Sequence, residues 1–225
     1  MTNTLHRYGS AESFDDDFII FASPSTGKND AGSIPKLKKF LEMALPYKPV
    51  NIGDPVHGGA VRPKRGLSTS ANWNRDSTPD LRAVIDGINE PASVVAIFDN
   101  LEAAENFLAE VVEADLGLSV NISTSIEGAQ QCCKFAGIPR HSVGYSLGFE
   151  GKTELLPNSQ VMMLSTMCGH GMVSSSLAKK MIDWVKEGRR TPEQAVTYLA
   201  RFCSCGVFNP SRAVRILEDA RKRTR

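Results

Sequence analysis

The chain of 225 residues lacks a long apolar run: no window approaches the roughly 18 apolar residues that a membrane-spanning helix requires. We therefore expect no membrane partner. The segment Met1–His6 also lacks the apolar core of a secretory signal peptide, so the expected location is the cytoplasm. Five cysteines, an odd number, then indicate reduced thiols or metal ligands rather than a set of disulfides.

An excess of charge of either sign is also absent, because 26 Lys and Arg face 25 Asp and Glu for a net charge of +1. Nucleic-acid-binding proteins normally gather a basic excess on one face, so no nucleic-acid partner is expected. The basic residues near the C-terminus, Arg221–Arg225, suit the end of a helix, where cations are favoured. The composition leaves open whether the chain forms a homo-oligomer.

A complete nucleotide-binding loop is missing as well. Ser25–Lys28 follows a short apolar run and matches only part of the phosphate-loop pattern. The pattern requires glycine at position 22, which is Ala22, and serine or threonine at position 29, which is Asn29. Nucleotide hydrolysis is therefore not expected.

The pattern of apolar residues predicts an α/β fold. Residues 1–17 are polar and predict a flexible tail. Through residues 18–166, apolar runs alternate with amphipathic helices, which predicts a largely parallel sheet with helices on both faces. Residues 167–225 carry helical patterns throughout and predict a C-terminal helical subdomain with cysteine-containing loops. The predicted strands occupy residues 18–22, 50–52, 93–98, 117–122, 142–147 and 160–165.

Several helix starts are marked by capping signals, in which a side-chain oxygen accepts a bond from a free backbone amide. Thr191-Pro192-Glu193-Gln194 fits a capping box with proline at the first helical position. Asn209-Pro210 predicts the start of the last helix. By contrast, residues 53–77 show little apolar periodicity and predict a long loop, either a lid over a site or a passive connection.

Hydroxyl-bearing residues follow two of the predicted strands. In a parallel sheet the carboxyl ends of the strands share one edge, where ligands usually bind. A small anionic substrate would suit free amides and hydroxyls at that edge, although serine and threonine are also common helix caps. The predicted substrate-binding residues are Ser25, Lys28, Ser123, Thr124, Ser125 and, with a weaker signal, Arg140.

The strongest functional signal comes from two segments with a similar layout, Met167–Gly171 and Cys203–Gly206. Each places a Cys-Gly step shortly before a predicted helix, at 173–187 and 210–222. Unpaired amides at a helix start lower the pKa of a nearby thiol, and the thiolate is the form that binds metal or attacks carbon. The two segments therefore predict a metal or thiolate centre.

An iron–sulfur cluster is the first interpretation of this centre. Cys168, Cys203 and Cys205 would hold it and leave one iron open to substrate, as a Lewis acid. The reaction would be a lyase or hydrolase step on a small anionic metabolite, with His170 or His141 moving the proton.

Three other interpretations of the same residues remain. Zinc could be bound by the three cysteines and His170, in a catalytic site or in a metal- or redox-sensing binding protein. A metal-free nucleophilic or redox thiol is the second, and buried structural thiols are the third. Cys132 and Cys133 are adjacent on a predicted helix and point about 100° apart. They are expected in the core, and whether one of them is a further ligand stays open.

Overall fold

The computed structural model describes residues 5–56, 58–60, 80–144, 148–203 and 205–222. The strands are β1 (Phe18–Ser23), β2 (Asn51–Asp54), β3 (Gly58–Gly59), β4 (Val94–Phe98) and β5 (Ser119–Ser123). The helices are α1 (Ile34–Ala44), α2 (Leu81–Asp86), α3 (Leu101–Ala114), α4 (Ile126–Phe135), α5 (Ser159–Ser165), α6 (Ser175–Lys186), α7 (Pro192–Ala200) and α8 (Pro210–Lys222). None of the helices in this part of the chain combines the length and the apolar character that a membrane crossing requires.

The five strands form one sheet in the order β3-β2-β4-β1-β5, and every neighbouring pair is antiparallel. At its centre, Ile20 of β1 lies opposite Ala96 of β4 and Ile122 of β5. The prediction of a largely parallel sheet is therefore wrong. A C-terminal region of several helices follows the sheet, as the sequence predicts.

The antiparallel order has a topological cause. β1 and β2, which α1 joins, run in the same direction, but β4 lies between them and opposes both. β4 and β5, which α3 joins, also share a direction, with β1 between them. The sheet is thus built from two split β-α-β units that interleave. Each helix joins two strands of like direction, as the alternation in the sequence suggests, but the strands joined in this way are not neighbours.

Helices cover both faces of the sheet, and successive side chains of a strand point to opposite faces. Phe18, Ile20 and Ala22 of β1 lie in a core with α1 and α3. Ile19 of β1 and Ile97 of β4 lie in a second core with the C-terminal helices. Burial on both faces explains the unbroken apolar runs of the central strands. That pattern is typical of parallel sheets, but here it arises in an antiparallel one.

Two of the predicted strands are not formed. Residues 160–165 lie in α5, where the Asn158 side chain accepts a hydrogen bond from the Val161 amide at 3.0 Å and caps the helix. Residues 142–144 have no regular structure, and the rest of that predicted strand lies outside the described residues. A short apolar run fits a buried helical turn as well as a buried strand, and in α5 the cap favours the helix.

Residues 5–17, predicted to belong to a flexible tail, are held against the fold by a buried ion cluster. The carboxylate of Asp17 contacts the guanidinium groups of Arg7 and Arg212. The side chains of Arg7, Asp17 and Arg212 are 4 %, 0 % and 0 % exposed. Asn209 Nδ2 also donates to Asp17 Oδ1 at 2.8 Å. Burial lowers the pKa of Arg212 to about 10. Buried charges of this kind are stable only when they are paired, so these groups depend on one another.

The segment between α7 and α8 packs directly on the β2–β3 hairpin through three glycines. A methyl group on Gly59 would lie 2.5 Å from the Cα of Gly206, and one on Gly206 would lie 2.9 Å from the Cα of Gly53. Gly206 also has a φ of +75°, a left-handed conformation that favours glycine. Asn51 Nδ2 of β2 donates to the Phe208 carbonyl at 3.0 Å. These contacts fix the cysteine-containing segment on this side of the sheet.

The variant Asp17→Asn should lower the free energy of unfolding by about 3–5 kcal/mol, because it removes the countercharge of two buried guanidinium groups. Urea denaturation followed by circular dichroism measures the loss. Glu187→Gln is the control, since it breaks an ion pair with Arg189 whose side chains are 54 % and 62 % exposed. It should cost at most about 1 kcal/mol. Equal losses in the two variants would contradict the role given to Asp17.

The variant Gly206→Ala should lose about 1–2 kcal/mol of stability through left-handed backbone strain and about 1–3 kcal/mol more through crowding against the hairpin. Gly188→Ala is the matched control, because Gly188 has a φ of +72° but no atom within 4 Å of the added methyl group. The difference between the two variants in urea unfolding isolates the crowding. If both lose the same stability, the contact between Gly206 and the hairpin is not tight.

Candidate thiol centre

Four side chains that the sequence predicts to form a metal or thiolate centre, from two segments far apart in the sequence, meet in the fold. Cys168 and His170 lie between α5 and α6, and Cys203 and Cys205 lie between α7 and α8. We call these four residues the thiol centre. The cysteines belong to the core between the sheet and the C-terminal helices, with exposures of 0 %, 0 % and 8 % for Cys168, Cys203 and Cys205. His170 is exposed, so the centre has a solvent-facing side.

The contacts within the thiol centre run from one side chain to the next. Cys168 shares hydrogen bonds with Cys203 and with His170. Cys203 in turn is hydrogen-bonded to Cys205. Cys205 Sγ lies 3.3 Å from His170 Nδ1, which closes the ring. The Phe208 amide also donates to Cys203 Sγ at 3.3 Å.

Both fully buried thiols have raised pKa values. The hydrogen bond to Cys203 and then burial raise the pKa of Cys168 to about 12. The hydrogen bond from Cys168 lowers the pKa of Cys203, but the bond to Cys205 and burial outweigh it and raise that pKa to about 11. At neutral pH, Cys168 and Cys203 are therefore thiols rather than thiolates.

The predicted activation of Cys168 by a helix start is wrong. Cys168 lies shortly after α5, which ends at Ser165, whereas the next helix, α6, begins only at Ser175 and is capped by Ser174. Neighbouring thiols and burial therefore set its pKa, and both keep the proton on. The hydrogen bond with His170 acts in the opposite direction but is outweighed.

In the described part of the chain, no group of three or more His, Cys, Asp or Glu side chains could hold a metal ion as it stands. The four donors of the thiol centre contact one another in pairs. Metal binding would therefore require the side chains to rotate, with loss of the thiol protons and of the bonds between sulfur atoms.

The residues predicted to bind an anion do not converge. Ser25 and Lys28 follow the end of β1, whereas Ser123 pairs with Ile19 near the start of β1. Ile19, the partner of Ser123, and Ser23, the last residue of β1, are four residues apart on an extended strand, which corresponds to about 14 Å. The antiparallel order thus puts Ser25 and Lys28 at one end of the sheet and Ser123–Ser125 at the other.

The hydroxyl-bearing residues 123–125 have structural roles in the fold. The Ser125 side chain caps α4 by accepting from the Gly128 amide at 3.0 Å. The Thr124 hydroxyl donates to the Phe14 carbonyl at 3.2 Å, and Arg7 Nη2 donates to the Ser123 carbonyl at 3.2 Å. These contacts stabilise the fold and occupy the groups that the predicted anion site requires.

The two remaining predicted site residues lie on the surface beyond α4. Arg140 is exposed and donates to the Ile126 carbonyl at 3.4 Å and to Gln130 Oε1 at 3.3 Å. His141 is exposed in a segment without regular structure, and no described contact links it to the thiol centre. Of the two predicted proton carriers, the structure brings only His170 to the cysteines.

Cys132 and Cys133 of α4 lie away from the thiol centre. Cys132 is buried in the core on the opposite face of the sheet, together with α1 and α3. Burial raises the pKa of Cys132 to about 12, and it also raises that of Cys133. Neither is therefore placed to act as a further ligand. Of the predicted loop 53–77, residue 57 and residues 61–77 lie outside the described residues.

Residues that position the thiol centre were missed as functional residues. Asn209 was predicted only as a helix cap, and its Oδ1 does accept the Arg212 amide at 3.0 Å. Its Nδ2 also binds the carboxylate of Asp17, which anchors the segment that carries Cys203 and Cys205. His6 donates its amide to the Gly169 carbonyl at 3.1 Å, beside Cys168. The helix cap at Asn209 was visible in the sequence, but these distant partners were not.

Comparisons of this chain with protein-family models, curated proteins and solved structures give no match.

Proposed function

We propose that the chain is a metal-dependent protein whose thiol centre binds one soft metal ion through Cys168, Cys203 and Cys205, with His170 on the solvent side. The observation that supports this proposal is the closed ring of contacts among these four side chains. Three sulfur atoms and one imidazole nitrogen are an accepted tetrahedral ligand set for zinc.

The close contacts favour one ion over an iron–sulfur cluster. Zinc–sulfur bonds of about 2.3 Å in a tetrahedral site place two sulfur atoms about 3.8 Å apart. That separation is close to the length of a sulfur hydrogen bond, so rotation of the paired side chains could bring their sulfur atoms onto one ion. In a cluster each cysteine binds a different iron, and the cysteine sulfurs must lie farther apart.

The burial of the cysteines gives the proposed ion its chemical role. A divalent cation would supply the positive charge that buried thiolates lack, and its binding would release their protons. The exposed position of His170 leaves a side on which water or a small metabolite can approach the ion. If His170 leaves the ion, the open position would let the ion act as a Lewis acid in a lyase or hydrolase step, and the freed imidazole would move the proton.

A second candidate is a metal-free redox centre. The hydrogen bond between Cys168 and Cys203 and the lack of a preformed metal arrangement among the described side chains favour it. Hydrogen peroxide would oxidise the two thiols: one S–S bond forms, the O–O bond breaks, and the two thiol protons leave with the reduced oxygens as two molecules of water.

Cobalt(II) titration of the anaerobic, reduced protein tests the first proposal. The wild-type protein should bind one equivalent and show thiolate-to-cobalt absorption, because cobalt occupies zinc sites with sulfur ligands. Cys168→Ser, Cys203→Ser and Cys205→Ser should each weaken binding at least about 100-fold, since each removes a ligand. Cys133→Ser is the control and should bind cobalt like the wild type.

Other outcomes of this titration are decisive as well. Loss of cobalt binding in Cys133→Ser would contradict the assigned ligands. No cobalt or zinc binding by the wild type, together with a Cys168–Cys203 disulfide after peroxide treatment, would favour the redox centre. A brown protein with bound iron and sulfide would favour a cluster. His170→Ala should keep the absorption of three thiolates and change the ligand field, whereas an unchanged spectrum would remove His170 from the site.

The affinity for metal should depend steeply on pH. Cys168 and Cys203 have pKa values of about 12 and about 11, so both are protonated at neutral pH. Metal uptake must then release at least these two protons. The zinc dissociation constant should fall about 100-fold for each unit rise between about pH 6 and pH 8, because the bound state holds fewer protons. Competition with a chromophoric chelator, corrected for its own protonation, measures this slope. A constant that does not change with pH would exclude these thiols as ligands.

A further inference from the structure

A cavity lies on the surface where α6 ends, α7 begins and α8 ends. It is a cavity of about 360 Å³, which is at the small end of the range for ligand pockets. Four of its lining side chains are cationic and none is a carboxylate: Lys186, Arg189, Arg190 and Arg221. We refer to it as the basic pocket. In a chain with a net charge of only +1, four cations around one cavity are a local concentration of positive charge.

Backbone bonds fix the turn that carries two of these arginines. After α6, the amides of Arg189 and Arg190 donate to the Trp184 carbonyl at 2.8 Å and 3.3 Å. Gly188, with a φ of +72°, permits the reversal between the helix and the turn. Arg190 Nη1 also donates to the Arg189 carbonyl at 2.9 Å. The backbone of the turn that carries Arg189 and Arg190 is therefore fixed without a ligand.

The indole ring of Trp184 orders the guanidinium groups. The centres of the Arg189 and Arg190 guanidinium groups lie 5.2 Å and 5.5 Å from the ring centroid, within the range of a cation–π contact. Each guanidinium has five N–H groups, so N–H groups beyond those already bonded to protein oxygens are left for an oxyanion, and the planar fork matches the oxygens of a phosphate group. Ordering before binding reduces the conformational entropy that a ligand must overcome.

The acidic residues near the basic pocket hold these cations only weakly. Glu187 contacts Arg189 at 3.3 Å, but the two side chains are 54 % and 62 % exposed, so the pair is easily exchanged. Hydrogen bonds from the Thr191 hydroxyl and the backbone lower the pKa of Glu193, and the positive charge of Arg221 makes a smaller contribution in the same direction. Two carboxylates against four cations leave an excess of positive charge, which suits a multiply charged anion.

Thr191 and Gln194 also line the pocket, but their side chains are used within α7. The Gln194 amide donates to the Thr191 hydroxyl at 3.3 Å, and the Thr191 amide donates to Gln194 Oε1 at 3.1 Å. The cationic side chains, rather than the helix start, must therefore supply the binding. We infer that the basic pocket binds a small phosphorylated anion with at least two phosphate charges, of the diphosphate type.

This site is separate from the thiol centre. The nine residues of α7, about 13.5 Å of helix, lie between the basic pocket and the segment that carries Cys203. The inference therefore does not rest on the proposed metal function. A variant of Cys203 can serve as a test that separates the two sites.

Titration of the full chain with inorganic pyrophosphate, followed by isothermal calorimetry and tryptophan fluorescence, tests the inference. The double variant Arg190→Gln, Arg221→Gln should weaken binding at least about tenfold, because it removes two charged hydrogen-bond donors. Arg82→Gln is the matched control: it removes one exposed charge elsewhere, in a pair with Glu42 whose side chains are 55 % and 43 % exposed. It should bind like the wild type, and so should Cys203→Ser.

Three results would overturn the inference. The first is a loss of binding free energy in Arg82→Gln that is half the loss in the double variant, which would indicate a general effect of net charge because the control removes half as many charges. The second is equal binding of sulfate and pyrophosphate at the same ionic strength, which would indicate an unspecific ion atmosphere. The third is tighter binding of a single-stranded oligonucleotide than of pyrophosphate, which would make the surface a nucleic-acid site. Loss of pyrophosphate binding in Cys203→Ser would show that the two sites are not separate.

Discussion

The fold around the thiol centre depends on one buried carboxylate. Asp17 pairs with Arg7 and Arg212 in a region without solvent, and it also accepts a bond from Asn209. Through these contacts a single side chain joins the N-terminal segment, β1 and the first turn of α8. Asn209 is the last residue of the segment between α7 and α8, which carries Cys203 and Cys205. The hydrogen bond from Asn209 to Asp17 therefore holds the end of the segment that contains these two sulfur atoms. Few arrangements satisfy two buried guanidinium groups at once, which restricts this segment to one geometry.

The thiol centre combines burial with an exposed edge. Its inner cysteines, Cys168 and Cys203, are enclosed, protonated and hydrogen-bonded to each other. His170 faces solvent and contacts the outermost sulfur, that of Cys205. Chemistry at such a centre begins with a partner that removes protons or electrons. A metal cation does the first and a peroxide does the second, and both candidate functions therefore use the same ring of contacts.

Local features were predictable from the sequence, and pairing between distant segments was not. The caps at Thr191 and Asn209 were visible because a cap involves residues only three apart. The apolar run of β1 correctly indicated a buried strand. The strand order could not be read from such runs, because a strand buried on both faces looks the same in parallel and antiparallel sheets. Because the actual order is antiparallel, Ser25 and Ser125 lie at opposite ends of the sheet and not at the one edge that was predicted. The shared layout of the two cysteine segments indicated a centre, but the raised pKa values depend on three-dimensional contacts.

The meeting of Gly53, Gly59 and Gly206 leaves two stretches of main chain in direct contact, with no side chain between them to absorb a shift. The residue next to Gly206 is Cys205, so the position of the hairpin and the position of this cysteine are fixed by the same close contact. Side chains elsewhere in a core can rotate and take up such a movement, whereas touching backbones transmit it. We therefore expect a shift of the hairpin to be felt at the outermost sulfur of the thiol centre, that of Cys205.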